Sequence, residues 1–161
     1  MSYKVTKTNA ARPMSDMQRE ASSFQTFEDL DVYRAARQFR KAIYAVARDL
    51  PDFEKYGLAS QMRRAAVSLT NNIAEGHGRF HYPDQIRFML QSRGSLEELV
   101  DDLNVCLDEG YHSTEKVEKL KETAQSVLAL LNGYLRYLRK RSSAIAEPSP
   151  GDAPFFDGLP M

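Results

Sequence analysis

The chain has 161 residues, 42% of them hydrophobic, and Lys+Arg equals Asp+Glu at 22 each. That length and apolar content suit one globular domain and exclude a wholly disordered chain. The balanced charge excludes a partner recruited by net charge alone, so any basic surface must come from clustering on one face.

Cys106 is the only cysteine, which leaves no disulfide framework and no cysteine metal site within one chain. No apolar run approaches the roughly 18 residues of a membrane span, and no secretory core follows Met1. The expectation is a cytoplasmic protein whose thiol packs rather than reacts.

Residues 1–26 lack periodicity and mix Lys, Thr, Ser and Pro13; they read as a disordered extension. The bundle expected next spans 27–141. A first helix runs from about Asp29 to Asp49. Its apolar positions Val32, Ala36, Phe39, Ile43, Val46 and Leu50 step by 4, 3, 4, 3, 4, a heptad seam. Pro51 ends it, because a residue before proline avoids helical geometry.

The second helix runs from about Glu54 to Glu75, with Asp52 as N-cap. Leu58, Met62, Ala65, Leu69 and Ile73 form its buried stripe, and Gly76 and Gly78 stop it. The stripe shares its helix with an arginine pair, a serine and two asparagines. A loop holding His77, Gly78, Arg79 and His81 follows.

Pro83 opens a third helix at its first position, where a missing N–H costs nothing. Ile86, Met89, Arg93, Leu96, Val100, Leu103 and Leu107 form the seam by spacing. Two features stand out. Arg93 falls on the seam itself. Gly94 lies mid-helix, where glycine costs roughly 1 kcal/mol against alanine. It is either a tolerated defect or a point of close approach by another helix of the bundle or of a neighbouring subunit.

Gly110 closes that helix. Ser113 or Thr114 caps a fourth, with Val117, Leu120, Ala124, Val127, Leu131, Tyr134 and Leu138 as its seam. Residues 142–161 carry four prolines, two glycines and an acidic bias, and read as a disordered tail. Four helices of about 20 residues with short connections predict an all-α, up-down-up-down antiparallel four-helix bundle.

Catalytic constellations are not found. Paired-metal bundle enzymes need Glu-x-x-His on two helices. The only such spacing, Glu109 to His112, is broken by Gly110. Glu97-Glu98 and Asp101-Asp102 read as a solvated face. The expectation is no enzyme, no metal and no cofactor.

Several separated motifs carry a resemblance. Phe27-x-x-Leu30-x-Val32-Tyr33, Tyr56-Gly57-Leu58, Gln61-Met62-Arg63-Arg64-Ala65-Ala66-Val67-Ser68, Asn72-Ile73-Ala74-Glu75-Gly76 with Arg79, Gly94-Ser95-x-x-Glu98-Leu99 and Gly110-Tyr111 occur in order over about 27–140. This resembles the bacterial four-helix-bundle family first noted as proteins encoded in intervening sequences of 23S ribosomal RNA genes. The resemblance implies a left-handed antiparallel bundle assembled as a homopentamer around a central channel. It further implies kinship with the accessory variability determinant of diversity-generating retroelements, a basic pentamer that binds a reverse transcriptase and nucleic acid. This chain departs from that protein in its near-neutral charge.

Two readings follow. One is a non-catalytic oligomeric scaffold that binds RNA or DNA, as accessory to a reverse transcriptase. The other is a protein-only interaction module. For the first, the candidate phosphate contacts are Arg34, Arg37 and Lys41 on one face of the first helix, Arg63 and Arg64 beside the second stripe, Arg79 in its glycine loop, and Arg136, Arg139 and Lys140 late in the fourth helix. Repeated around a ring, such clusters make a basic surface. A structural polar cluster of Asn72, Glu75 and Arg93 is expected at mid-bundle. Its alternative is an Arg93 that snorkels to solvent along its aliphatic stem.

Overall fold

A computed structural model describes residues 26–146 of the chain. It is all-helical: α1 Asp31–Arg48, α2 Leu58–His77, α3 Tyr82–Asp108 and α4 Thr114–Ala146. Short 3-10 turns at Phe27–Asp29 and Asp52–Glu54 precede α1 and α2. Each helix packs on its chain neighbours, and α4 closes the ring on α1. This is the antiparallel up-down-up-down bundle that the four periodic segments predict.

The element edges show which local signals prevailed. Thr26, assigned by sequence to the extension, instead starts the fold. Its hydroxyl accepts from Glu28 N, and Asp29 Oδ2 accepts from Thr26 N at 3.0 Å, a reciprocal capping box. The second helix does not begin at Glu54 behind an Asp52 cap. The chain makes a 3-10 turn there, and Glu54 Oε2 reaches forward to accept the N–H of Leu58 at 2.9 Å. The cap therefore comes from a side chain four residues ahead of the helix rather than from its own flanking residue.

Nor does Gly76 stop α2, which continues through His77 to Gly78. The α3 terminus does follow expectation. Gly110 takes φ +69°, Tyr111 N donates to Cys106 O at 2.9 Å, and Gly110 N donates to Leu107 O at 3.0 Å, the Schellman pattern. Ser113, not Thr114, caps α4, since its hydroxyl accepts from Lys116 N. α4 runs on to Ala146, past the expected boundary at 141. Everything else in the extension and tail lies outside the described residues.

The core follows the stripes of α1 and α2. Val32, Ala36, Phe39, Ile43 and Val46 meet Leu58, Met62, Ala65, Leu69 and Ile73, all buried. On α3 the stripe turns back by about one residue. Met89, Leu96 and Leu103 are buried as expected, but Ser92, Leu99 and Cys106 take the places assigned to Arg93, Val100 and Leu107. A helix held between two neighbours buries a face wider than a heptad seam, and 3.6 residues per turn drifts from a 7-residue repeat over 27 residues. Serine is tolerated there because its hydroxyl is satisfied: Ser92 Oγ donates to Leu69 O at 2.7 Å.

The correction at Arg93 follows directly. One residue beyond Ser92, it turns about 100° away from the core and lies exposed. Gly94 is exposed as well, and an added Cβ would meet nothing within 4 Å. Close approach within the bundle is therefore not its role. The expected outcome of Gly94→Ala is a gain of about 1 kcal/mol in unfolding free energy, measured by urea denaturation, from helix propensity alone.

Candidate functional site

Basic side chains come together between α1 and α2. Two adjoining depressions, about 510 and 570 Å³, share Tyr44 and Val67 and so form one groove. Arg40, Lys41 and Arg48 line it from α1, and Arg63 and Arg64 from α2. The remainder of the lining is Tyr44, Val67, Ser60, Ser68, Asn71 and Asn72, with no carboxylate.

The geometry of the groove follows from helix periodicity. Lys41, Tyr44 and Arg48 are spaced by 3 and 4 on one face of α1, and α2 presents Ser60, Arg63, Arg64, Val67 and Asn71 opposite. Arg40 Nη1 donates to Thr70 Oγ1 at 2.8 Å, which pins its guanidinium across the helix pair. Arg63 Nη2 donates to Lys55 O at 3.1 Å, tying the α2 wall to the turn ahead of it. Among the described residues, none of the five cations lies within salt-bridge distance of a carboxylate. Their charge is therefore not neutralised locally by an acidic side chain.

The candidate residues divide into three groups. Lys41, Arg63 and Arg64 stand in the groove, with Arg37 exposed one turn from Lys41 on the same face. Arg34 and Arg79 are already engaged. Arg34 donates to Glu28 O at 3.1 Å and pairs with Asp29 at 3.2 Å. Arg79 pairs with Glu75 and lies 4.8 Å over the Phe88 ring. It lies in the loop after α2, as expected, but turns back onto Glu75 and the Phe88 ring rather than reaching outward. The third group, Arg136, Arg139 and Lys140, is exposed on α4. α4 packs on α1 and α3, so this cluster is not joined to the groove. Arg40 and Arg48 were missed as site residues. Their spacing from Tyr44 was a usable signal, but only the α1–α2 pairing says which α1 face has a basic partner.

The Asn72–Glu75–Arg93 cluster does not form. Glu75 is held by Arg79, Arg93 is in solvent, and Asn72 joins a hydroxyl network instead. Asn72 Nδ2 donates to Ser68 O at 2.9 Å and to Ser68 Oγ at 3.0 Å, and Ser68 Oγ meets Ser95 Oγ at 2.8 Å. Neutral groups thus link α2 to α3 at less desolvation cost than an ion pair.

Two further groups bear on chemistry. Cys106 is fully buried; burial, then the charges of Asp102 and Glu54, push its thiol up to about 11, so it stays protonated at neutral pH. Asp102, read by sequence as solvated, is buried, and its Oδ2 has no hydrogen-bond partner among the described residues. Among the described residues, no three His, Cys, Asp or Glu side chains gather as metal ligands, and no helix is long and apolar enough to cross a membrane.

No curated protein matches the chain. A family model described as 23S rRNA-intervening sequence protein matches residues 28–133, from the turn ahead of α1 well into α4. The match spans more than half of the chain, covering α1 to α3 and the first part of α4, and it agrees with the ordered motifs from Phe27 to Tyr111: this chain belongs to the 23S rRNA-intervening sequence protein family.

Proposed function

We propose that this chain is a non-catalytic homo-oligomeric scaffold, pentameric as its family resemblance implies, that grips RNA or DNA by its phosphates and serves as accessory to a reverse transcriptase. The observation that carries the reading is the α1/α2 groove, where five cations converge without a carboxylate in the lining. A ring of copies multiplies that groove, so a chain of zero net charge still offers a strongly basic face. The grip is sequence-tolerant, because phosphate contacts position a nucleic acid without reading it.

A salt titration tests this. Light scattering on the full chain gives a mass near five times 18.3 kDa. Fluorescence anisotropy with structured RNA and duplex DNA then shows affinity falling about a thousandfold or more between about 50 and 200 mM salt, the counterion-release cost of six or more phosphate contacts. Binding without a salt slope, or none at about 50 mM, overturns the nucleic-acid reading.

The second reading is a protein-only interaction module. It draws support from the far end of the bundle, where Phe80 and Ile145 are 91% and 74% exposed. They border an apolar depression with Tyr82 and Pro83, and a contiguous exposed apolar patch suits a protein partner.

A further inference from the structure

We propose that the α1/α2 groove takes its nucleic acid as a single strand, with the phosphates on the groove's cations and a base stacked on Tyr56. The inference rests on the nucleic-acid reading above and narrows it to a substrate class.

Shape is the first argument. The groove is the trough between two packed helices, whose axes lie about 8–10 Å apart. A single strand fits such a trough. A duplex is a far thicker rod than one strand, so it rests on the rims and reaches fewer of the cations inside.

The second argument is the turn at the mouth of the groove, toward Ser60. Arg63 holds that turn through Lys55 O at 3.1 Å. The next residue, Tyr56, is 86% exposed, with Lys55 Nζ 5.5 Å over its ring. Phe53, three residues earlier, is 75% exposed. Glu54 faces inward, its carboxylate on Leu58 N at 2.9 Å and Tyr111 Oη at 3.0 Å, so it does not repel an anion at the mouth.

A single exposed aromatic is ordinary. Tyr56, on the turn that Arg63 holds beside an unneutralised basic trough, nevertheless fits the plan of single-strand binders, in which a positive channel tracks the backbone and an aromatic face stacks bases of any identity; Phe53 packs edge-on against Tyr111 and takes no part. Tyr44, half-buried in the trough lining, offers a second ring further along.

The test compares three probes on the full chain at about 50 mM salt: a 20-nucleotide mixed-sequence strand, its duplex, and an abasic strand of equal length and charge. We expect the intact strand to bind at least tenfold tighter than either of the others. Tyr56→Ala should cost the intact strand about tenfold and leave the abasic strand unchanged, while Tyr56→Phe retains affinity. The exposure of Tyr56 makes the alanine variant safe for folding, and light scattering checks its assembly. Equal affinity for intact and abasic strands, or preference for duplex, overturns the single-strand inference while the phosphate grip stands. Absence of binding to all three overturns the reading beneath it. A changed assembly mass in Tyr56→Ala assigns the aromatic turn to contacts between copies and also overturns the inference.

Discussion

Asp102→Asn will raise the unfolding free energy at pH 7.5 by about 2 kcal/mol and flatten the pH dependence of stability between about pH 4 and 7. Asp102 is only 6% exposed, and its Oδ2 is unpaired among the described residues. Burial, reinforced by the like charges of Glu98 and Asp101, lifts its carboxyl from 3.8 to about 6. A carboxyl whose pKa is raised on folding binds its proton more tightly in the folded chain. Its penalty is absent below the unfolded value near 4, grows as pH rises, and is complete above about 6. A rise of that size corresponds to roughly 3 kcal/mol. Asparagine keeps the shape and removes the charge, but its amide introduces a donor that needs a partner, which takes back about 1 kcal/mol.

Urea denaturation at pH 4.5 and 7.5, at one protein concentration, checks the claim. The parent chain should lose stability across that interval, and the variant should change little. A variant less stable than the parent at pH 7.5 would mean that the carboxylate has a cationic partner, and the argument would fail.

Asp102 also marks where the sequence stopped being legible. Beside Asp101, and four residues from Glu98, it looks like part of a solvated face. Position on a helix gives the angle of a side chain, not how wide a face the neighbours cover. α1 buries one narrow stripe, so Val32, Ala36, Phe39, Ile43 and Val46 could be read without a structure. α3 also packs on two neighbours, α2 and α4, yet its buried face takes in Ser92, Ser95 and Asp102 as well. Hydrophobic periodicity does not anticipate a polar residue satisfied by a partner helix, as Ser92 is by Leu69 O.

The candidate site was legible to the same extent. Arg63 and Arg64 beside an apolar stripe, and Lys41 on a basic face of α1, are visible in the chain. That these two faces meet, while Arg136, Arg139 and Lys140 stand apart, is a consequence of ring order. Arg34 was a candidate because it shares a face with Arg37 and Lys41, and Arg79 because it follows α2 in a glycine loop; their pairing with Asp29 and Glu75 shows only in the fold.

Two of the helix-interior glycines, Gly76 and Gly94, exchange roles relative to their sequence context. Gly76 looks like a stop and Gly94 like a contact. In the fold, Gly94 faces open space, whereas a Cβ on Gly76 would stand 2.9 Å from Phe88 Cβ and 2.7 Å from Met89 Cε. The methionine tip can swing aside. Phe88 Cβ is fixed to the α3 backbone, so α2 and α3 would have to separate. Overpacking of this kind costs about 1–3 kcal/mol. Alanine at 76 recovers roughly 1 kcal/mol of helix propensity, so Gly76→Ala should destabilise only mildly. Gly76→Val adds two methyl groups and little propensity, and should lose about 3 kcal/mol, the upper end of that range. The separation would also strain the adjoining Ser92–Leu69 and Ser68–Ser95 hydrogen bonds. Urea midpoints for Gly76→Ala, Gly76→Val and Gly94→Ala, measured side by side, should fall slightly, fall steeply and rise. A Gly76→Val chain as stable as the parent would mean that α2 and α3 do not approach this closely.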